Sequence, residues 1–176
     1  PVNEAPVITE GAGPLPVVIS EDDSPIPWAA PALNATDVDT VDGDLTWSLL
    51  SAASHGTAIV SGTGLTPATF SYAPNADFNG TDSFVVRVSD SEFDDDVTIE
   101  VTVQNVNDAP VITEGAGPLP YTMSEDGSPT AWPVPTLNAT DVDSADVLSW
   151  SVSTPASHGA AAPLSLSGYD SAFTYL

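Results

Sequence analysis

Asp37-Val38-Asp39 and Asp141-Val142-Asp143 each set two carboxylates two residues apart, and each pair closes the same run, Asn-Ala-Thr-Asp-Val-Asp. In an extended segment, residues two apart point the same way at about 7 Å, a span that brackets one cation. Two other acidic spots recur with these pairs. One is Glu21 and Glu125, each inside Ser-Glu-Asp; the other is an amide-acid phrase, Asn3-Glu4 in one place and Asn105, Asn107 and Asp108 in the other. All of these side chains offer hard oxygens, and calcium takes about six to eight such oxygens at roughly 2.3–2.6 Å. The chain has no cysteine, and its two histidines, His55 and His158, lie away from the acidic phrases in sequence. Zinc, copper and iron therefore suit the donors poorly. Ca2+ is the ion these residue types favour.

The competing reading is a solvated acidic surface. The chain of 176 residues carries 25 acidic side chains against one basic residue, Arg87, for a formal charge of −24. Such a chain repels itself unless cations or high salt neutralise it. Surplus Asp and Glu spread over a whole surface also fit a protein of brines. Clustering of the acids at matching places fits a cation, and the two readings are compatible. The charge excludes nucleic acid and anionic membranes as partners, since nothing here pairs with phosphate. No apolar run is long enough for membrane insertion.

The elements that must position these residues follow from an internal repeat. Residues 2–22 match residues 106–126 at 17 of 21 positions, with an offset of 104. The register continues through residues 28–40 against 132–144, then, one residue out, pairs Trp47 with Trp150 and residues 70–72 with 173–175. This divides the chain into a first repeat, 1–105, and a partial second repeat, 106–176, which lacks counterparts of the last two strands of the first. Val97, Ile99, Val101 and Val103 alternate with polar residues, as do Phe84, Val86 and Val88 with Arg87 on the opposite face. Shorter strand runs are expected at residues 15–20, around 28–33, 45–51, 56–62 and 68–74, separated by Gly, Pro, Asn and Asp. No useful helical period is present. The expectation is all-β: tandem Greek-key sandwiches with about seven antiparallel strands per repeat. The 17 prolines place the first third of each repeat at a sheet edge or in loop.

In order and spacing, Asn-Val-Asn-Asp-Ala-Pro (105–110), the Ser-Glu-Asp runs and Ala-Thr-Asp-Val-Asp resemble a cadherin-type extracellular repeat, in the form found in large bacterial Ig-like surface adhesins of the RTX type. The resemblance implies a calcium site where two repeats meet, using Glu21 from the first repeat, Asn105, Asn107 and Asp108 from the linker, and Asp141 with Asp143 from the second. It also implies an equivalent site at the start of the first repeat, with Asp90, Asp37, Asp39, Asn3 and Glu4. Glu125 takes the place of Glu21 in the second repeat. The linker departs from the cadherin pattern: Asn105 stands where an Asp is usual and Ala109 follows Asp108 directly, so fewer ions per junction are expected.

The remaining conspicuous residues read as structural. His55 and His158 occupy equivalent Ala-Ser-His-Gly positions and suit turns; a nucleophilic site needs one oriented constellation, not a copy per module. Trp47 and Trp150 suit the core, while Trp28 and Trp132, among prolines, suit half-exposed packing or a sugar-stacking face. Asp94, Asp95 and Asp96 suit a solvated hairpin loop. Asn34, Asn79 and Asn138 stand in glycosylation-type triplets, which arise by chance in Thr-rich chains. The function expected is a non-enzymatic, calcium-stiffened module of an extracellular stalk, adhesin or fibre on a microbial surface. Its partners would be neighbouring repeats of the same protein, with strand donation between chains as one way to complete the second repeat. A glycan- or protein-binding adhesin domain is the alternative.

Overall fold

The computed structural model describes residues 2–11, 13–143, 145–165 and 167–175. Its described residues form strands, turns and irregular segments, without helix. The chain divides into two compact units, Pro1–Val106 and Asn107–Leu176.

Among the described residues unit 1 has eight strands: β1 (Val7–Ile8), β2 (Leu15–Ser20), β3 (Ala35–Thr36), β4 (Thr46–Ser51), β5 (Gly56–Thr63), β6 (Thr69–Pro74), β7 (Gly80–Ser89) and β8 (Asp94–Gln104). β1 and β3 make a two-stranded sheet, and the other six form a sheet ordered β2-β8-β7-β4-β5-β6. The alternation in β7 and β8 does what period-two patterning dictates. Phe84, Val86 and Val88 face inward with Val97, Ile99, Val101 and Val103, and none is more than 3% exposed. Ile8, Ile19, Ala35, Leu45, Trp47 and Tyr72 close the same core.

Three expectations change. Residues 28–33 are irregular, not a strand; Pro27 and Pro31 remove ladder donors there, and the short strand β3 forms just beyond. Asp94, Asp95 and Asp96 begin β8 and are not a free loop. Arg87 fixes two of them, with Nη1 2.8 Å from Asp94 and Nε donating to Asp96 at 2.8 Å. Asp95 Oδ2 accepts the Ile8 amide at 2.7 Å and so ties β1 to β8. Finally, not every pairing is antiparallel. β2 runs parallel to β8, in register from Leu15 opposite Ile99 to Ser20 opposite Gln104. As an edge strand β2 tolerates Pro16.

Unit 2 contains β9 (Val111–Ile112), β10 (Thr136–Thr140), β11 (Ala161–Pro163) and β12 (Asp170–Tyr175), ordered β11-β12-β10-β9. Its buried cluster is Ala139, Leu148 and Trp150, with Leu137 and Phe173 packed against it. Both core tryptophans are anchored alike: Trp47 Nε1 donates to the Gly64 carbonyl and Trp150 Nε1 to the Gly168 carbonyl, each at 2.8 Å.

Candidate metal centre

At the start of unit 1 the acidic spots are joined by hydrogen bonds. The Asp37 side chain folds back on its own loop, with Oδ1 accepting the amides of Asp39 and Thr40 at 2.9 Å each. This is the local turn that Asp favours, and it turns the next carboxylate toward the N-terminal phrase. Asp39 Oδ2 then accepts the Glu4 amide at 3.0 Å. From the β7–β8 hairpin, Asp90 Oδ2 accepts Asn3 Nδ2 at 2.8 Å. Asp90 Oδ1 accepts the amides of Glu92 and Phe93. The Phe93 amide, followed by those of Glu92 and Asn3, holds the Asp90 carboxyl below the usual range against a smaller effect of burial. Asn3, Asp37, Asp39 and Asp90 thus come together as one chain of contacts; Glu4 joins it through its backbone, and its side chain is exposed.

Asp37 Oδ2 is buried and has no hydrogen-bond partner. A buried carboxylate oxygen left without a donor is costly, and a cation is the natural way to satisfy it. Among the described residues, however, no three His, Cys, Asp or Glu side chains gather closely enough to hold a metal ion. The donors fit calcium in kind. Their number leaves an ion to be completed by amide or backbone carbonyls and water, which calcium accepts.

Unit 2 repeats the same local arrangement. The Asp143 amide donates to Asp141 Oδ1 at 3.0 Å, and Asp143 Oδ2 accepts the Asp108 amide at 2.6 Å. Asp108, Asp141 and Asp143 therefore stand to one another as Glu4, Asp37 and Asp39 do. Asn107, Asp108, Asp141 and Asp146 line an open cleft of about 420 Å³ whose wall includes Ile112, Leu148 and Trp150. Asn107 Nδ2 donates to the Asp108 carbonyl.

The other linker residues belong to unit 1. Glu21, only 8% exposed, accepts the Val106 amide on Oε1 at 2.6 Å, so the buried acid holds the start of the linker directly. The loop that presents it is built twice. Ser20 exchanges hydrogen bonds with Ile26, and Ser124 does the same with Thr130. Asp23 and Gly127 take the left-handed residue of the turn. Glu125, Glu21's counterpart, is exposed.

Two further polar contacts of unit 1 involve Asn79, which the sequence offered only as a glycosylation-type triplet, and Asp82, which belongs to no acidic phrase. Asn79 Nδ2 donates to Asn105 Oδ1 at 2.8 Å. Asp82, 6% exposed, accepts the amides of Ser54, His55 and Ser83 and the Tyr72 hydroxyl. Asp82 was detectable in principle, because a carboxylate at the inward phase of Asp82, Phe84, Val86 and Val88 breaks the apolar pattern.

With this geometry in hand, the chain can be set beside known proteins. It is similar to protocadherin gamma B7 extracellular cadherin domains 1-4, with a TM-score of 0.52 at 19% identity over 99% of this chain and 42% of that one. It is likewise similar to the protocadherin gammaB7 EC3-6 cis-dimer structure, with a TM-score of 0.51 at 20% identity over 98% of this chain and 39% of that one. The chain thus spans about two fifths of the length of these structures, and at such identity the likeness is one of fold. None of the curated proteins matches the sequence. A family model described as bacterial Ig domain matches residues 3–104. That match covers more than half of the chain, its eight-stranded unit almost entirely, and the chain belongs to the bacterial Ig domain family, in a cadherin-like form.

Proposed function

We propose that this chain is a structural module of a secreted microbial tandem-repeat protein, a surface stalk, adhesin or extracellular fibre, stiffened by calcium at the ends of its repeats. The observation that carries the reading is the duplicated acidic arrangement, Glu4, Asp39 and Asp37 in unit 1 and Asp108, Asp143 and Asp141 in unit 2. The orphaned Asp37 Oδ2 supports it. The bacterial Ig family and the cadherin-like fold favour an extracellular setting and a non-enzymatic role. Among the described residues no helix is long and apolar enough to cross a membrane.

One ion would be held by Asn3, Asp37, Asp39 and Asp90, with Glu4 alongside. A second would be held by Glu21, Asn105, Asn107, Asp108, Asp141 and Asp143, with Glu125 serving a following repeat. Bound calcium supplies positive charge, nothing redox or hydrolytic. It cancels repulsion among carboxylates and restricts the linker. Extracellular modules bind calcium at about 10⁻⁴–10⁻³ M, which sets the linker stiff outside cells and loose inside. At a hundredfold excess over Kd each site adds about 2.7 kcal/mol to the folded state.

Calcium titration of the chain, followed by melting temperature and small-angle scattering, tests this. The expected result is a rise in both melting temperature and particle length at millimolar calcium or below, reversed by EGTA and lost in Asp108→Ala/Asp141→Ala. A response no larger than that to NaCl of equal ionic strength defeats the reading.

Neighbouring repeats are the proposed partners, strand donation included. Among the described residues Ser149 makes an isolated bridge, to Ser167, where β4, its counterpart in unit 1, pairs with β5 and β7. A strand from another chain could add along this edge; crosslinked oligomers that vanish on Ser149→Pro are the expected sign. The second reading, a glycan-binding adhesin domain, draws on Tyr121, which is specific to the second repeat, 44% exposed and 5.6 Å from the Trp132 ring. Binding of soluble glycans lost in Tyr121→Ala is its test.

A further inference from the structure

Asn79 stands outside every acidic phrase, in the turn between β6 and β7, yet its side chain reaches the linker. Nδ2 donates to Asn105 Oδ1 at 2.8 Å, across 26 residues of sequence. Contacts on the other side of Asn79 hold its turn. The Phe78 amide donates to the Asn75 carbonyl, and the Asn75 amide to the His55 carbonyl. The His55 ring stacks flat on Phe78, with centroids 4.3 Å apart and planes 2° from parallel. Beneath them Asp82 grips the amides of Ser54 and His55 at 3.0 and 2.9 Å. A continuous line of contacts therefore runs from a buried carboxylate, through a stacked histidine, to the first amide after β8.

We propose that Asn79 is a positioning residue for the linker, fixing Asn105 before any ion arrives. The inference rests on the calcium reading above and adds to it a residue that no acidic motif reveals. Val106 is held separately by Glu21, so the two ends of the Asn105-Val106 step are clamped from different elements. An ion that uses Asn105 then meets a linker already ordered, and affinity rises because less freedom is lost on binding. Asn79 itself is exposed, so truncating it leaves the core of unit 1 intact.

The test is calcium binding by calorimetry to the wild-type chain, Asn79→Ala, Asn105→Ala and the double variant, with hydrogen exchange in EGTA. Asn79→Ala should weaken calcium about 3- to 10-fold, the scale of one lost hydrogen bond. The double variant should bind no worse than Asn105→Ala alone, since the two residues act as one unit. In EGTA, Asn79→Ala should speed exchange at Asn105 and Val106 while the melting temperature of unit 1 stays put. Phe78→Leu, which removes the stack, should shift exchange the same way. If the wild type binds calcium but the two single losses simply add, or exchange at the linker is unchanged, this inference alone fails. If the wild type does not bind calcium, the functional reading fails and takes this inference with it.

Discussion

Gly56 shows how much one side chain can demand of its neighbours. A β-carbon there would fall 2.5 Å from Cε2, Cζ and the hydroxyl of Tyr72. The ring lies so close because its hydroxyl donates to Asp82 at 2.9 Å. Burial, then this contact with Asp82, pushes the Tyr72 hydroxyl's pKa upward, which keeps it a donor. Gly56→Ala should displace the ring and destabilise unit 1 by about 1–3 kcal/mol. Tyr72→Phe, which removes one of four donors, should cost about 1 kcal/mol; urea unfolding measures both. Burial raises the Asp82 pKa, but the amides of Ser54 and His55, the Tyr72 hydroxyl and the Ser83 amide together bring it below the ordinary carboxylate value. Its contribution is therefore fully present above the unfolded value of about 3.9 and is lost as pH falls through the lower folded one. Asp82→Asn should be less stable than wild type at neutral pH, and the gap should narrow below about pH 4. The recurrence of Ser-His-Gly was legible in the sequence, and its turn was too. The reason for the glycine was not, because it depends on a tyrosine and an aspartate brought from β6 and β7.

Among the elements, long strands were easy to read and short ones were not. β7 and β8 carry enough alternating residues to announce a buried face, whereas β1 and β3 are two residues each and owe their pairing to surroundings. Asp95 is part of those surroundings, through its bond to the Ile8 amide. Asp95→Ala should raise hydrogen exchange at Ile8 while Val97 to Val103 stay protected. The β5–β6 hairpin has a second position of strict demand. Gly62 has φ of 130°, and a β-carbon there would meet the Ala68 amide nitrogen at 2.5 Å. Gly62→Ala should destabilise by about 1–3 kcal/mol, through backbone conflict that no side-chain rotation relieves. The candidate ligands were legible because Asp-x-Asp and the linker phrase each occur twice. Asn79 was hidden because a polar residue in a turn looks like any other turn residue.

At the scale of the whole chain, the repeat divided the sequence before any strand was assigned, and charge set the terms on which it folds. With −24 to disperse, raising NaCl should raise the melting temperature through screening alone. Calcium must exceed that rise to count as binding. Among the described residues, the buried apolar cluster has sixteen members in unit 1 and three in unit 2, so exchange protection should be far higher in unit 1.

The parallel pairing of β2 with β8 bears on how unit 1 meets tension. The chain enters upstream of β2 and leaves at the end of β8, so a pull along the polypeptide drags the two strands in opposite directions along a common axis. Six paired residues, and the Glu21 amide bonded to the Gln104 carbonyl beyond them, are then loaded in shear and must break together. A hairpin peeled from its open end gives up its bonds singly. Stretched end to end in an optical trap, unit 1 should hold to a higher rupture force than when tethers on Thr81 and Thr102 peel β7 from β8, a difference in unfolding rate and not in equilibrium stability.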